Sequence, residues 1–410
     1  MTAGHRDADI AIAGGGLVGL TLGLALAQGG LNVAVADPLN PEQLADERFD
    51  GRVSALAYAS VRMLRVLGLW DLLAPDAQSI DDIVVSEGRL GRAPSPFSLH
   101  FDHREIGERL GYIVENRHIR IALLKAAAEE KRLMLHSGLG AEKLDVTDAD
   151  TTLTLSNGKT ISARLAVAAE GRESPLREQQ EIKTVGWEYG QVGIVTTVEH
   201  ERSHKGVAYE HFLPTGPFAI LPMTGNRSSL VWTEETAIAR RLIALPDDAF
   251  TAEIERRFGA HLGEVRPVGP RWAYPLRLQL ARSYVKHRFA LAGDAAHAIH
   301  PLAGQGLNLG LKDVAALAET VLDAARLGLD YGRLDVLTRY ERWRRFDSFS
   351  LAAATDSLNR LFSNDFTPLR LARDLGIGVV DRIPPLRRFF MREAGGAMGN
   401  LPRLLKGEAA

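Results

Sequence analysis

The segment DIAIAGGGLVGL, residues 9–20, indicates the fold class. Its first residues form a short apolar run suited to a buried parallel strand, and Leu17 to Gln28 has the apolar spacing of a helix. The glycines between them match G-x-G-x-x-G, and Val33 to Ala36 reads as a second strand that ends at Asp37. This order predicts an α/β, Rossmann-like nucleotide-binding fold.

The glycines and the acid of this segment each have a physical reason. Gly14 allows the tight turn, Gly16 lets a pyrophosphate approach the backbone, and Gly19 lets the helix pack on the strand. The helix N-terminus offers free N–H groups and its positive dipole end to phosphates. Asp37 is placed to accept hydrogen bonds from ribose hydroxyls, which a glycine turn without a ligand does not explain. The segment therefore predicts one bound FAD or NAD.

A membrane span is the competing interpretation of this segment, because no charged residue lies between Asp9 and Asp37. Its many glycines, together with Gln28 and Asn32, oppose that interpretation. The residues before it lack the basic character of a signal peptide. We therefore expect neither a span nor a signal peptide here.

The composition narrows the function classes. A length of 410 residues allows two or three domains. The absence of cysteine excludes disulfides, thiolate metal sites, iron–sulfur clusters, cysteine nucleophiles and redox-active dithiols. Lys and Arg total 49 against 51 Asp and Glu, so no basic excess suggests a nucleic-acid partner. A redox enzyme built on this chain must carry its electrons in an organic cofactor or pass them along without thiols.

A second informative segment is GDAAHAIHPLAGQGLNLGLKD, residues 293–313, which follows a short apolar strand. Asp294, at the end of that strand, is a candidate second ribose ligand. The backbone of the next loop can lie against a flat ring, and its candidate residues are Pro301, Gly304, Gln305 and Gly306. A helix from Leu307 onward would direct free N–H groups at the negative charge of a reduced flavin.

This late segment resembles the FAD-binding motif of single-component aromatic hydroxylases. Its HPLAGQGLNLGLKD form is most similar to the hydroxylases of ubiquinone biosynthesis. The segments GRVSAL (51–56), GYIVEN (111–116, opening a helix) and EGRESPLR (170–177) extend the resemblance, in order, over nearly the whole chain.

The resemblance implies residue roles. The residues implied to bind the FAD phosphates and riboses are Gly14, Gly16, Gly19, Asp37, Arg52 and Asp294. Those implied to frame the isoalloxazine are Gly304, Gln305, Gly306, Leu307 and Asn308. Arg172 is implied to serve FAD and the incoming pyridine nucleotide. Two positions depart from the family pattern: Glu170 replaces the usual Asp, and Asn116, a candidate flavin contact, stands where many relatives carry Arg.

The organisation that follows is a discontinuous Rossmann-like FAD-binding domain, an inserted α+β substrate domain and a C-terminal helical tail. The FAD-binding domain is predicted over residues 1–75, 108–180 and 283–335. The substrate sheet is predicted over 76–107 and 181–282, where alternating segments read as strands, and the helices over 336–410.

The activity implied by the resemblance is that of a flavin monooxygenase. NAD(P)H, or a reductase partner, would reduce FAD, and oxygen activated at C4a of the flavin would attack the ring of a polyprenylated phenol in ubiquinone synthesis. No metal is required. The alternatives are a hydroxylase of a small soluble aromatic compound and a non-catalytic, flavin-bound assembly subunit. The expected location is cytoplasmic, at the inner membrane surface or within a ubiquinone-biosynthesis complex.

Several residues have two interpretations. His297 and His300 suggest a metal, but no third ligand stands out, so we interpret them as loop residues. Asp313 is either a residue of the helix after the loop, which we favour, or a catalytic residue, and Trp232 either packs in the sheet or faces substrate. The basic tail from Pro368 to Lys406 either packs on the FAD-binding domain or contacts a membrane surface or a partner.

Overall fold

The computed structural model describes residues 6–88, 98–299, 305–362 and 380–410. The strands are β1 (Ile10–Ala13), β2 (Val33–Asp37), β3 (Val53–Ala57), β4 (Gln78–Ile80), β5 (Asp82–Glu87), β6 (Ser98–Asp102), β7 (Gly111–Glu115), β8 (Leu133–Ser137), β9 (Ala141–Val146), β10 (Thr151–Leu155), β11 (Thr160–Ala163), β12 (Leu165–Ala168), β13 (Thr184–His200), β14 (Val207–Leu213), β15 (Gly216–Met223), β16 (Arg227–Glu235), β17 (Val265–Ala281), β18 (Val285–Lys286), β19 (Phe289–Leu291) and β20 (His297–Ala298). The helices are α1 (Leu17–Gln28), α2 (Pro41–Leu44), α3 (Tyr58–Val66), α4 (Trp70–Leu73), α5 (Asn116–Glu129), α6 (Pro175–Gln179), α7 (Thr236–Ile243), α8 (Asp247–Phe258), α9 (Gln305–Arg326), α10 (Leu334–Phe362), α11 (Pro384–Ala394) and α12 (Arg403–Lys406).

The nucleotide-binding motif lies in a six-stranded sheet with the order β18–β19–β12–β1–β2–β8. The strands from β19 to β8 run parallel, and only β18 is antiparallel to its neighbour. β1 and β2 are buried along their whole length, as the uncharged segment predicts, and α1 packs against α9. The predicted α/β fold class is confirmed.

A second sheet has eight strands in the order β20–β17–β13–β16–β15–β14–β5–β6. All its pairings are antiparallel except that of β14 with β5. One face, here called the outer face, packs its apolar side chains against α7 and α8. The opposite face, here called the inner face, packs against β3, β4, β7 and Met391 of α11. The two faces therefore meet different parts of the chain.

Trp232 belongs to the outer face. Its ring is buried and stacks at 6.2 Å on Phe250 of α8, with Phe218 at 6.0 Å. Of the two interpretations of this residue, packing in the sheet is the one that the structure supports, because the side chain points away from the inner face.

The three strands β3, β7 and β4 form a small antiparallel sheet. The segment 111–116 therefore does not open a helix as predicted, since Gly111–Glu115 is strand β7 and the helix begins at Asn116. A boundary at residue 76 would place β4 with the substrate sheet, yet β4 pairs with β7. The domain limits stay predictions. The pairing of β4 with β7 argues against placing a limit at residue 76.

The C-terminal helices pack on the nucleotide-binding part. α10 lies against α9, and α12 contacts α3 and α9 with Leu404 and Leu405 buried. Residues 363–379 of the predicted basic tail lie outside the described residues. In the part of the chain that is described, no helix has the length and apolar character that a membrane crossing requires.

Candidate active site

The glycine turn after β1 leaves the start of α1 open. Gly14 has a left-handed φ of +101°, and Gly19 lies so close to the carbonyl oxygen of Gly14 that a side chain there would collide with it. At Gly16, the N-cap of α1, no side chain caps the helix, and an added Cβ would meet nothing within 4 Å. The free N–H groups at the start of α1 therefore fit a pyrophosphate.

Asp37 ends β2 as predicted, and its carboxylate holds the glycine turn. Oδ2 accepts a hydrogen bond from the Gly15 amide at 2.6 Å, and Oδ1 accepts one from the Leu39 amide at 2.8 Å. Each carboxylate oxygen has a further lone pair for a ribose hydroxyl. The ribose contact stays a prediction, and the shaping of the turn is a role that sequence reasoning missed.

The first and late motifs touch at Val18. A Cβ added to Gly293 would lie 3.2 Å from a methyl carbon of Val18, and one added to Gly310 would lie 2.7 Å from it. These glycines let α9 and the turn after β19 approach α1 closely. Segments almost 300 positions apart in the chain thereby border one site.

Asp294 follows β19 and carries a carboxylate without a hydrogen-bond or ion-pair partner among the described residues. Its side chain is solvent-exposed, but other atoms of the protein lie close around it. Removal of water by the surrounding atoms raises the pKa of Asp294, while the charges of His297 and Arg172 oppose that rise. An acceptor of this kind is suited to a sugar or ribityl hydroxyl.

The middle motif is tied to the late motif by Arg177. This buried guanidinium donates from one nitrogen to the carbonyl oxygens of Arg172, at 2.8 Å, and Ala295, at 3.1 Å. Glu170 accepts hydrogen bonds from Ser174 Oγ at 2.6 Å and the Leu176 amide at 3.2 Å, so it caps α6. Burial raises the pKa of Glu170, and those two hydrogen bonds oppose the rise.

Arg172 lies beside this junction. Gln279 donates to its carbonyl oxygen at 2.9 Å, which connects the middle motif to β17 of the eight-stranded sheet. Its Nε atom is buried and has no hydrogen-bond partner in the described part of the chain. A buried donor without a partner is costly, so this nitrogen fits an anionic or polar ligand.

The start of α9 is fixed to β3 through Asn308, which is buried. Its Oδ1 accepts from the Ala57 amide at 2.9 Å and from Ser60 Oγ at 2.8 Å, and its Nδ2 donates to the Ala55 carbonyl at 2.7 Å. The amide side chain is thus committed to the protein. Any flavin contact from this turn would come from backbone N–H groups, as at Gly306, where an added Cβ would meet nothing within 4 Å.

Asp313 lies on α9 as expected, and it is also the centre of a buried network. Oδ2 accepts from the Gly293 amide at 2.9 Å and lies 2.5 Å from His297 Nε2, and Oδ1 accepts from Arg344 Nε at 2.8 Å. Burial alone would raise the pKa of Asp313, but the charges and hydrogen bonds of His297 and Arg344 lower it.

This network engages His297, whose ring also lies 5.8 Å from that of Tyr284. His297 is not a loop residue as predicted, because it lies in strand β20 opposite Leu280 of β17, and its Nε2 is engaged by Asp313. His300, Pro301 and Gly304 lie outside the described residues. Gln305 is the first residue of α9, and its side chain donates to the Ala394 carbonyl at 3.4 Å.

Arg52 and Asn116 lie together at the start of β3. The Asn116 amide donates to the Arg52 carbonyl oxygen at 2.9 Å, and Ser54 Oγ donates to Asn116 Oδ1 at 2.7 Å. The guanidinium of Arg52 pairs with Asp50 at 2.6 Å and lies 5.7 Å from the ring of Trp272. The structure therefore brings these two predicted residues together, next to the strand that holds Asn308.

The residues present fit a bound dinucleotide. The uncapped helix start at Gly16 offers a helix dipole, Asp294 an acceptor and Arg172 a cation, and the charge of Arg172 lies near enough to Asp294 to oppose the rise of its pKa. The three sequence motifs meet through Val18 and Arg177.

The sequence matches known proteins along most of its length. A family model described as an FAD binding domain matches residues 7–345. Ubiquinone hydroxylase UbiL of Rhodospirillum rubrum is 52% identical, over 98% of this chain and 93% of that protein. The 3-demethoxyubiquinol 3-hydroxylase of Escherichia coli is 35% identical, over 96% and 99%. The ubiquinone biosynthesis monooxygenase COQ6 of Mus musculus is 31% identical, over 93% and 90%.

The fold is similar to solved structures of much lower identity. p-Nitrophenol 4-monooxygenase PnpA of Pseudomonas putida superposes with a TM-score of 0.78 at 19% identity, covering 96% of this chain and 99% of that one. PqsL of P. aeruginosa, solved with 2-aminobenzoylacetate, gives 0.73 at 20% identity, covering 87% and 97%. At these identities the similarity shows the fold alone.

Proposed function

Because the chain belongs to the family of FAD-binding hydroxylases of ubiquinone biosynthesis, it is a flavin-dependent monooxygenase that uses FAD, and we propose that it hydroxylates the aromatic ring of a polyprenylated phenol. The observation that carries the proposal is that three separate motifs meet in the fold, with Arg177 as the bridge between two of them. The lipid-linked substrate class is supported by the relatives that are named for ubiquinone biosynthesis.

We further propose how the chain holds FAD. The open N-terminus of α1 at Gly16 would bind the pyrophosphate, Asp37 and Asp294 would accept hydrogen bonds from hydroxyl groups, and the start of α9 would direct N–H groups at the flavin ring. Gly14 and Gly19 shape that turn. When bound, FAD supplies the redox chemistry and the activation of oxygen. The protein orients the reactants and excludes water.

The roles of the remaining site residues are proposals of the same kind. Arg172, with its buried Nε, would contact FAD and the pyridine nucleotide of an NAD(P)H donor. Arg52 and Asn116 would approach the cofactor from β3, where Ser54 holds the Asn116 side chain. Gly304, Gln305, Gly306, Leu307 and Asn308 would frame the ring, Asn308 through its backbone because its side chain is committed to β3.

The domain division is proposed with one adjustment. Residues 1–75, 108–180 and 283–335 form the FAD-binding domain, and 76–107 with 181–282 form the sheet that covers it. β4 is the adjustment, because it pairs with β7 and so belongs with the FAD-binding part. Residues 336–410 supply the C-terminal helices.

We also propose a peripheral contact with the inner membrane surface through α11, on the cytoplasmic side and in the company of other ubiquinone-biosynthesis enzymes. Phe389 and Phe390 are exposed on this helix beside Arg388 and Arg392. Exposed aromatic residues next to cations suit an anionic lipid surface. Co-sedimentation with anionic vesicles at low ionic strength tests the contact, and a protein that ignores them, or a Phe389→Ser/Phe390→Ser variant that binds unchanged, contradicts it.

The function is tested by deleting the gene from its host and profiling the quinone lipids by mass spectrometry. The deletion should accumulate a prenylated phenol that lacks a hydroxyl group, and the wild-type gene should restore ubiquinone. Asp294→Ala should not restore it, whereas Asp335→Ala, at an exposed acid of α10, should. Normal ubiquinone in the deletion strain would contradict the substrate class.

Two alternatives have their own outcomes in this experiment. A hydroxylase of small soluble aromatic compounds would leave the lipids normal and would show NAD(P)H oxidation stimulated by a simple phenol. A flavin-bound assembly subunit would purify yellow and would consume no oxygen with any donor or lipid substrate.

A further inference from the structure

Strand β14 sends alternate side chains to opposite faces of the eight-stranded sheet. Tyr209 faces outward, since its ring lies 4.7 Å from that of His261 after α8, and it stacks on His211 two residues along. Ala208 and Phe212 face inward, where they belong to apolar clusters with Ile113 of β7 and Leu99 of β6. Because neighbouring side chains alternate along a strand, Glu210 must face inward, between Ala208 and Phe212.

The surroundings of Glu210 are apolar. Its partners in the adjacent strands are Val85 of β5 and Ala219 of β15. Among the residues that the structure describes, no donor or cation contacts its carboxylate. On the inward side of the neighbouring strand β5, the acid Glu87 lies two positions beyond Val85. The side chain is partly exposed, so it borders open space and is not sealed in the core.

The apolar cluster around Ala208 connects the inner face to β3 and, through it, to the start of α9. The cluster that contains Ala208 also contains Val53 and Ala55 of β3, and the Ala55 carbonyl accepts a hydrogen bond from Asn308 in the first turn of α9. Met391 of α11 packs in the same cluster, and Ala394 of that helix accepts from Gln305 at the start of α9. Glu210 is therefore one inward position along β14 from Ala208, which belongs to the same apolar cluster as the strand that fixes the start of α9.

An unpaired carboxylate in an apolar wall is unfavourable unless a ligand completes it. We propose that Glu210 accepts the hydroxyl hydrogen of the phenolic substrate and acts as its general base. The O–H bond of the phenol breaks, its proton moves to a Glu210 oxygen, and the electron pair stays on the phenol oxygen. The phenolate pushes electron density onto the ring carbons ortho and para to it, which are the positions that an electrophilic oxygen attacks. The proton leaves to solvent after the product departs.

The electrostatics of the site agree with this role. Burial raises the pKa of Glu210 to about 7, because water is removed and no cation compensates. A base with a pKa near neutrality is half ionised where the enzyme works and is a stronger proton acceptor than an ordinary glutamate. The inference rests on the proposed function, since it requires a phenolic substrate on the inner face of the sheet.

The test uses the FAD-loaded enzyme, with 2-prenylphenol as the probe and Glu210→Gln as the variant. Binding is followed by the change in flavin absorbance, and ionisation of the bound probe by its phenolate absorption band. Glu199→Gln, at an exposed acid of β13 that pairs with Arg266, is the matched control. We expect Glu210→Gln to weaken binding about tenfold and to lose the phenolate band at neutral pH, since one charge-assisted hydrogen bond and one base are removed. The control should match the wild type.

A turnover measurement separates the base from a merely structural role. Hydroxylation by the wild type should rise with pH through about 7, and in Glu210→Gln this rise should move towards the pKa of the free phenol, about 10. Glu210→Asp, which keeps a carboxylate, should recover part of the rate. The FAD content of each variant shows whether it has folded.

The possible outcomes distinguish a failure of the proposed role of Glu210 from a failure of the proposed hydroxylase function. Equal binding, an equal phenolate band and an unchanged pH profile in Glu210→Gln would overturn the role of Glu210 and leave the hydroxylase proposal standing. A wild-type enzyme that retains FAD but neither binds nor hydroxylates 2-prenylphenol would overturn the substrate class, and the role of Glu210 with it.

Discussion

Glu234 and Glu210 lie in the same eight-stranded sheet but have opposite surroundings. Glu234, on the outer face, accepts hydrogen bonds from Trp232 Nε1 at 3.0 Å and Arg257 at 3.1 Å, and Arg257 also stacks on the Trp232 ring. Glu210, on the inner face, has apolar neighbours in both adjacent strands. On the outer face, Oε1 of Glu234 has both a cation and an indole donor, whereas among the described residues Glu210 on the inner face has neither and keeps an acceptor that a ligand can complete.

The largest expected change in stability comes from breaking the ion pair between Glu234 and Arg257 on the outer face. Arg257→Ala leaves the carboxylate of Glu234 buried with only the indole donor, and the loss of one partner of a buried ion pair costs about 3–5 kcal/mol. Urea denaturation should show a fall of that size in the free energy of unfolding, with the FAD content of the folded protein unchanged.

The control for this variant is its neighbour. Arg256→Ala removes an exposed arginine that pairs with Glu253, and exposed pairs contribute about 0–1 kcal/mol. If both variants lost the same small amount of stability, Glu234 would not depend on Arg257, and the contrast between the two faces would fail.

An effect of intermediate size is expected on FAD binding when Asp294 is changed. Asp294→Asn removes a carboxylate that no described residue contacts, so the unfolding of the FAD-free protein should change by less than about 0.5 kcal/mol. A hydrogen bond from a flavin hydroxyl to a charged acceptor contributes about 1.5–3 kcal/mol, so FAD should bind roughly 10–100-fold more weakly. Flavin fluorescence titration measures that change.

The contrasting case is Asp313, whose carboxylate is fully engaged by the protein. Asp313→Asn should lower the stability of the FAD-free protein, because Arg344 and His297 lose their anionic partner. An Asp294→Asn variant that destabilised the FAD-free protein as much as Asp313→Asn, or bound FAD as the wild type does, would contradict the assignment of Asp294 to the ligand.

The parts of the fold that could be predicted from the sequence are those whose structure depends on residues close together in the chain. The strand, glycine turn and helix at residues 9–28 follow from the backbone requirements of Gly14 and Gly19, and α1 begins and ends at the predicted residues. The segment 111–116 failed as a helix because β-branched and aromatic residues favour a strand when β3 and β4 are available as partners.

The parts of the site that are missed depend on distant partners. Asp313 looks like one helical acid among others, since His297 and Arg344 lie 16 and 31 residues away in the chain. Asn308 belongs to the recognised motif, but its commitment to Ala55 and Ala57 depends on β3, about 250 residues earlier. Glu210 carries no motif at all, and its importance follows only from the face of β14 on which it lies.

The smallest expected effect concerns stability and pH at that same residue. The pKa of Glu210 is raised from 4.5 to about 7 in the folded protein, so folding favours its protonated form. The resulting stability is complete below pH 4.5 and is lost as the pH rises through 7. Glu210→Gln should lack this loss, and its free energy of unfolding relative to the wild type should rise between those pH values by about 1 kcal/mol, since partial exposure reduces the effect. Urea denaturation of the FAD-free proteins across this pH range measures the difference. A difference that stays constant with pH would mean that Glu210 is compensated in the folded protein, and the two glutamates of the sheet would then be alike.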